Sequence, residues 1–253
     1  IKSKLTKGQE WMLDNLQYLT LMGSHAYGTN TANSDFDVYG FTIPPKEYVY
    51  ANNLLGFEKP KTFGQFEGKI EGKTKQECLE FSIYNITKYF YLVMHNNPNM
   101  IDSLFTGENC VLMMTDIGQR VRENRKLFLH KGAWYTFRGY SFSQLNKIRV
   151  KPEERMNPER KALIEKYGYD CKFAVHIFRL LDEVEQILTL GDLSLIRNRE
   201  QLKRVKEGYY TLEEVDRYFK EKELLLEKAY SESTLPWGPR KEEIRALLVE
   251  CLD

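Results

Sequence analysis

The sequence predicts an α+β protein whose N-terminal half contains strands and helices and whose C-terminal half is all-helical. Apolar stretches rich in β-branched and aromatic residues at positions 18–22, 36–43 and 78–83 have the pattern of strands. After about residue 130 such stretches disappear, and helical periodicity interrupted by glycine and proline takes their place. We therefore place one domain at residues 1–130 and an all-helical C-terminal domain at residues 131–253.

The other elements of the N-terminal half follow from local patterns. Apolar residues around Trp11 recur at helical spacing, which predicts a short helix over residues 7–17 that leads into the first strand. Two consecutive prolines, Pro44 and Pro45, end the second strand. Further along, we predict a loop or hairpin at 63–69 and helices over 84–94, from residue 100 onward and over 111–127.

Glycines and a proline-rich cluster divide the C-terminal half into helical segments. A glycine ends a helix because it adopts the left-handed conformation without steric cost, and proline cannot continue one. The predicted helices cover residues 133–148, 158–167, 171–190, 212–230 and 241–252.

Composition restricts the class of protein. Hydrophobic residues make up 42% and aromatic residues 13% of the 253 residues, which is enough for a core and argues against disorder. Four scattered cysteines without a Cys-x-x-Cys pair are typical of reduced thiols in a cytosolic protein rather than of disulfides or zinc. No apolar signal segment follows the first residues, and no stretch approaches about 18 apolar residues. We therefore expect a cytoplasmic protein that does not contact a membrane.

The charge balance does not itself predict a nucleic-acid-binding protein. Lys and Arg number 37 against 36 Asp and Glu, for a net charge of +1. A local basic cluster could still contact RNA phosphates, although such a run is more often a solvated surface. Its members are Arg197, Arg199, Lys203, Arg204 and Lys206.

A small-residue turn and two aspartates form the strongest chemical signal in the chain. Gly23 and Ser24 follow the first strand, and Asp35 and Asp37 begin the second. Residues i and i+2 of a strand point to the same face, so the two carboxylates lie side by side. Adjacent carboxylates repel each other unless a cation lies between them, and a divalent metal is best suited to that. The turn can offer N–H groups and a hydroxyl to a phosphate. Metal-binding carboxylates opposite a phosphate-binding turn indicate nucleotide chemistry.

Two-metal nucleotidyl transfer usually needs a third carboxylate on a neighbouring strand. Glu80 is our choice, because it lies in the third apolar stretch just before a helix. Glu77 is the alternative in the same segment, and a solvated acid at a strand edge is the competing interpretation of Glu80.

The predicted helix over residues 171–190 carries a second candidate set. Lys172, His176 and Arg179 recur at i, i+4 and i+7, beside an apolar stripe, so they share one helix face. Cations on such a face could meet the phosphates of a nucleotide, or they could pair with acids such as Glu183. Tyr169, at the start of the helix, could stack on a base or pack in the core.

These motifs resemble the signature of the DNA polymerase β-like nucleotidyltransferase superfamily, and more closely the predicted nucleotidyltransferases of bacteria and bacteriophages. Four blocks carry the resemblance: Gly23-Ser24-His25-Ala26-Tyr27-Gly28-Thr29 with Ser34-Asp35-x-Asp37; Lys88-Tyr89 with Asn97-Pro98-Asn99; Gly139-Tyr140-Ser141 with Ser143-Gln144-Leu145; and Tyr167-Gly168-Tyr169-Asp170-x-Lys172-x-Ala174-x-His176, continuing into Arg179-Leu180-Leu181. Family members commonly have Asp where this chain has Glu80.

The resemblance implies a mixed sheet with flanking helices and a specific set of roles. Asp35, Asp37 and Glu80 would hold two Mg²⁺ or Mn²⁺ ions and act as the catalytic carboxylates. The predicted nucleotide-binding residues are Gly23, Ser24, His25, Tyr169, Lys172, His176 and Arg179.

The implied reaction transfers a nucleoside monophosphate from an NTP to an acceptor hydroxyl and releases pyrophosphate. We favour an RNA or tRNA end as the acceptor. Protein or small-molecule nucleotidylation, nucleotide cyclisation and a non-catalytic nucleotide- or RNA-binding module stay open as alternatives.

Overall fold

The computed structural model describes residues 10–46, 64–74, 77–149 and 158–253. The chain divides into two compact units. The first contains Ile1–His95, Asn99–Phe128 and Arg240–Asp253, and the second contains Asn96–Pro98 and Leu129–Pro239.

In the described residues of the first unit, a five-stranded mixed sheet has the order β3-β4-β2-β1-β5. The strands are β1 (Leu16–Leu21), β2 (Phe36–Thr42), β3 (Gln65–Ile70), β4 (Leu79–Asn85) and β5 (Val111–Met114). β2 and β4 are parallel, and the other pairs are antiparallel. The helices of this unit are α1 (Trp11–Asp14), α2 (Gly23–Ala26), α3 (Ile86–Met94), α4 (Pro98–Phe105), α5 (Asp116–Glu123) and α11 (Lys241–Leu252).

The two faces of the sheet have different roles. Val38, Phe81 and Ile83 pack with Met12 of α1 in a hydrophobic cluster on one face. Because side chains alternate along a strand, the neighbours of Val38 and Phe81 along β2 and β4 point to the opposite face. The candidate acids therefore project away from this cluster.

The second unit is helical throughout its described residues. Its helices are α6 (Ala133–Arg149), α7 (Pro158–Tyr167), α8 (Cys171–Leu190), α9 (Arg199–Lys206) and α10 (Leu212–Glu232). The long α8 packs against α6, α9 and α10. Asp170 caps its N-terminus by accepting a hydrogen bond from the Lys172 N–H, and Gly191 ends it in the left-handed conformation at φ 60°.

The α+β class is confirmed, as are the bounds of α7 and α8. The predicted helix over 111–127 is wrong in its first part, because Val111–Met114 pairs with β1 as an edge strand. The helix begins only after Thr115, whose hydroxyl accepts a hydrogen bond from the Gly118 N–H. Most of the segment at 63–69 proves to lie in strand β3 (Gln65–Ile70), with residue 63 outside the described part of the chain. Helix α9 was not predicted. The first predicted helix, over 7–17, is confirmed only at Trp11–Asp14, since β1 already begins at Leu16. Residues 7–9 lie outside the described part of the chain.

The domain organisation differs from the prediction at the C-terminus. The two units divide beside the predicted boundary, between Phe128 and Leu129, but α11 groups with the first unit. The reason is that α11 packs against α3, with Ile244, Leu247 and Cys251 as its buried residues. None of the described helices is long and apolar enough to cross a lipid bilayer.

Candidate active site

The turn after β1 lies directly against the second aspartate. Gly23 has φ +58°, and a Cβ on this residue would lie 2.1 Å from the Asp37 Oδ2. The Met22 N–H donates a hydrogen bond of 2.8 Å to the Asp37 carbonyl oxygen, which holds turn and strand together. Glycine is required at position 23 because any side chain there would occupy the space of the Asp37 carboxylate.

Three acids meet at the start of the parallel strand pair. Asp37 is in register with Glu80 on β4, and Asp35 is the exposed residue just before β2. Side chains in register on adjacent strands share a face, so Asp37 and Glu80 project to the same side of the sheet. The register thus brings Glu80 beside the aspartates.

Glu77, the alternative third acid, has a different environment. It precedes β4, and its Oε2 accepts a hydrogen bond of 2.7 Å from the Lys73 N–H. Its carboxylate therefore stabilises a loop, and the geometry favours Glu80 over Glu77 as the partner of Asp37.

A lysine that the sequence did not single out completes the cluster. Lys69 of β3 is in register with Glu80, and its Nζ lies 3.0 Å from the Glu80 Oε1. Both side chains are about half exposed, so solvent screens the pair. Lys69 was missed because its strand was not assigned, although alternation along residues 65–70 was the available signal.

The Asp37 carboxyl group feels all of these neighbours. Desolvation by burial, followed by the negative charges of Asp35 and Glu80, raises its pKa from 3.8 to about 6, while the Lys69 charge lowers it. Crowded carboxylates favour either protonation or a nearby cation, and this is the electrostatic requirement of a cation site.

The donor set suits a hard divalent cation, because carboxylate oxygens are the ligands that Mg²⁺ prefers. Within the described segments, however, no three His, Cys, Asp or Glu side chains are arranged to hold a metal ion together. The Glu80 carboxylate contacts the Lys69 ammonium group instead of a metal ligand set.

Two further residues of the first motif lie near the acids. Ser24 is half-buried in α2, and the His25 ring stacks on Phe36, the residue between the two aspartates, at 4.8 Å between centroids. The buried His25 Nε2 makes no hydrogen bond within the described part of the chain. Tyr27 anchors the turn by donating a hydrogen bond of 2.7 Å to the buried Asp102.

The predicted residues on α8, and Tyr169 just before it, lie in the second unit. Tyr169 is 3% exposed, and its hydroxyl donates a hydrogen bond of 2.7 Å to the Tyr210 carbonyl oxygen. Arg179 is also 3% exposed and contacts Glu183 at 3.3 Å. Lys172 remains partly exposed near the helix start. Tyr169 and Arg179 thus have structural contacts, and their nucleotide-binding roles stay predictions.

His176 is neutral at physiological pH. Desolvation by burial, followed by the positive charges of Arg179, Arg160 and Lys147, lowers the pKa of His176 from 6.5 to about 3. His176 therefore offers a ring nitrogen rather than a positive charge. Arg160 was missed by the sequence interpretation; it also pairs with the buried Asp170 at 2.7 Å.

The basic cluster from Arg197 to Lys206 is partly compensated. Arg199 and Lys203 both contact Glu200, at 2.9 and 3.1 Å, and Arg204 stacks over the Tyr209 ring at 3.9 Å. Partnered charges contribute less to attracting phosphates.

The sequence comparison places the chain among the DNA polymerase β-like proteins. The chain belongs to the RNA repair pathway DNA polymerase beta family (RlaP), whose profile matches residues 3–248. This confirms the predicted superfamily.

Two individual proteins are also similar. An uncharacterized 38.9 kDa protein of the nrdC-mobD intergenic region of Enterobacteria phage T4 is 25% identical over 131 residues, which cover 51% of this chain and 37% of the phage protein. The match therefore spans little more than a third of that relative. A nucleotidyltransferase-like protein from Exiguobacterium sibiricum 255-15 matches with a TM-score of 0.31 and 8% identity, covering 86% of this chain and 69% of that structure.

Proposed function

We propose that the protein is a metal-dependent nucleotidyltransferase that transfers a nucleoside monophosphate from an NTP to an acceptor hydroxyl. The observation that carries the proposal is the convergence of Asp35, Asp37 and Glu80 beside the Gly23 turn. In the reaction the acceptor oxygen bonds to the α-phosphorus, the bond from that phosphorus to pyrophosphate breaks, and the acceptor hydroxyl loses its proton.

Asp35, Asp37 and Glu80 would bind two Mg²⁺ or Mn²⁺ ions. Bound divalent cations supply charge stabilisation for the attacking and leaving oxygens. The turn at Gly23 and Ser24 would bind the outer phosphates through its N–H groups and hydroxyl. Glu80, next to Asp37, would help to take up the proton of the acceptor hydroxyl.

An RNA or tRNA end is the favoured acceptor. The support is the family description, which names an RNA repair pathway. Tyr169, Lys172, His176 and Arg179 of the helical unit are proposed to contribute to nucleotide binding, with His176 acting as a neutral hydrogen-bonding group.

The test is transfer of label from α-labelled NTPs by the purified chain with Mg²⁺ or Mn²⁺. The acceptors are RNA and tRNA with a free 3′-hydroxyl, with 3′-deoxy RNA as the matched control. We expect labelled RNA and released pyrophosphate with the first acceptors only. The double change Asp35→Asn with Asp37→Asn should abolish both products, and transfer that survives it would contradict the proposed site.

Other outcomes would identify the alternatives. Label in a protein or a small molecule would favour nucleotidylation of that acceptor. Soluble labelled products from NTPs alone would indicate cyclisation or oligonucleotide synthesis. Metal-dependent NTP binding without pyrophosphate release, in the presence of all acceptors, would favour a binding module.

A further inference from the structure

Three neighbouring strands bring opposite charges into one row. Lys69 on β3, Glu80 on β4 and Asp37 on β2 are joined by direct register pairs. Adjacent strands lie about 4.8 Å apart, so the ammonium group and both carboxylates share one small region of the sheet face. The order of the row puts Glu80 between a cation and a carboxylate.

Glu80 has two competing partners in this row. Its carboxylate contacts Lys69 at 3.0 Å, and within the described residues it does not form a ready three-ligand set with other acids. A carboxylate satisfied by an ammonium group must give up that contact, or share it, before it can bind a metal ion. Exposed ion pairs are weak, and a divalent ion carries twice the charge of lysine, so the exchange favours the metal.

We propose that Lys69 is a displaceable counter-ion of the acidic site: its ammonium group holds Glu80 until a divalent cation at Asp35 and Asp37 replaces it. The inference rests on the proposed function, because it takes Asp35 and Asp37 to bind the metal. Binding of the cation weakens the Lys69–Glu80 ion pair in two ways, since the cation attracts the Glu80 carboxylate and repels the Lys69 ammonium group. Lys69 therefore sets the metal affinity of the site.

Metal affinity is the measurement, made without nucleotide by following free Mn²⁺ with electron paramagnetic resonance. Lys69→Met keeps an unbranched side chain one atom shorter and removes its charge, and it should bind Mn²⁺ about three- to tenfold more tightly than the unchanged protein. Lys69→Arg keeps the ion pair and should stay within about twofold. Lys161→Met removes an exposed charge from the helical unit and should also stay within about twofold.

A double-mutant cycle separates release of Glu80 from a general loss of positive charge. In a Glu80→Gln background, Lys69→Met should change the Mn²⁺ affinity by less than about twofold, because the competing pair no longer exists. An equal gain in both backgrounds would show that Lys69 acts only as a nearby charge, and it would overturn the inference. Unchanged affinity in Lys69→Met alone would overturn it as well.

The metal site itself has its own control. Asp35→Asn with Asp37→Asn should lose Mn²⁺ binding. If that variant loses binding while Lys69→Met binds like the unchanged protein, the inference fails and the proposed metal site stands. If the aspartate variant binds Mn²⁺ with full affinity, the metal site of the proposed function fails and the inference fails with it.

Discussion

The Asp37 carboxylate lies so close to Gly23 that a Cβ on residue 23 would come within 2.1 Å of Oδ2. The same glycine has φ +58°, a conformation that other residues adopt only at a cost. One position thus satisfies two demands, a left-handed turn and room for a carboxylate. The structural requirement and the chemistry of the site coincide at Gly23.

Gly23→Ala should damage the site and the fold together. The added methyl group must push the Asp37 carboxylate aside, and the positive φ adds strain, so we expect a loss of about 1–3 kcal/mol in the free energy of unfolding. Nucleotidyl transfer should fall at least about 100-fold, because Asp37 is displaced from its neighbours. Urea denaturation and pyrophosphate release measure the two effects.

Gly139→Ala is the matched control. Gly139 lies within α6, and nothing comes within 4 Å of a Cβ placed there. Alanine in a helix is favoured over glycine by about 0.5–1 kcal/mol, so this variant should gain stability and keep its activity. Equal losses in both variants would contradict the special role of Gly23.

Asp37→Asn should stabilise the metal-free protein at neutral pH. The pKa of Asp37 is raised to about 6 in the folded protein, so ionisation of this carboxyl group lowers the free energy of unfolding. The loss is absent below about pH 4 and grows as the pH rises through 6. At pH 7.5 with a chelator, the variant should be more stable by about 1–2 kcal/mol, with the difference vanishing near pH 4. Urea denaturation across this range measures it.

Asp14→Asn, an exposed change in the same unit, should alter stability by less than about 0.5 kcal/mol at every pH. Added Mn²⁺ should stabilise the unchanged protein through mass action but not Asp37→Asn. A difference between Asp37→Asn and the unchanged protein that does not vary with pH would contradict the electrostatic account.

Substitutions of Glu80 in β4 and of Glu77 just before it should have different effects on activity. Glu80→Gln should lower the transfer rate at least about 100-fold, because it removes a carboxylate next to Asp37. Glu77→Gln should keep most of the activity, because Glu77 accepts a hydrogen bond from the Lys73 N–H and lies before the strand. The reverse ranking, measured as label transfer under the same conditions, would reassign the third carboxylate.

Arg179 can be tested for a structural against a phosphate-binding role. It is 3% exposed and paired with Glu183, so Arg179→Met should lower the free energy of unfolding by about 3 kcal/mol. Arg179→Met with Glu183→Leu should recover much of that loss, because the unmatched acid is removed too. A single variant that stays stable but no longer binds NTP would favour the phosphate role instead.

Local chemistry explains the parts of the fold that the sequence predicted well. The bounds of α7 and α8 agree with prediction because glycine, a capping aspartate and helical periodicity act within a few residues. Val111–Met114 was assigned wrongly because a short apolar run fits a strand or a helix equally well, and pairing with β1 decides between them. The grouping of α11 with the first unit was not predicted, because it depends on packing against α3, which is distant in sequence.

For the site, the Gly23-Ser24 turn and the Asp35-x-Asp37 pair follow from the sequence alone, which also predicted the class of chemistry, because residue type and spacing are local properties. Only the tertiary structure placed Glu80 rather than Glu77 beside Asp37. It also brought Lys69 into register with Glu80. Strand register causes this difference: it joins residues far apart in the chain, and a slip of one residue would turn each side chain to the other face.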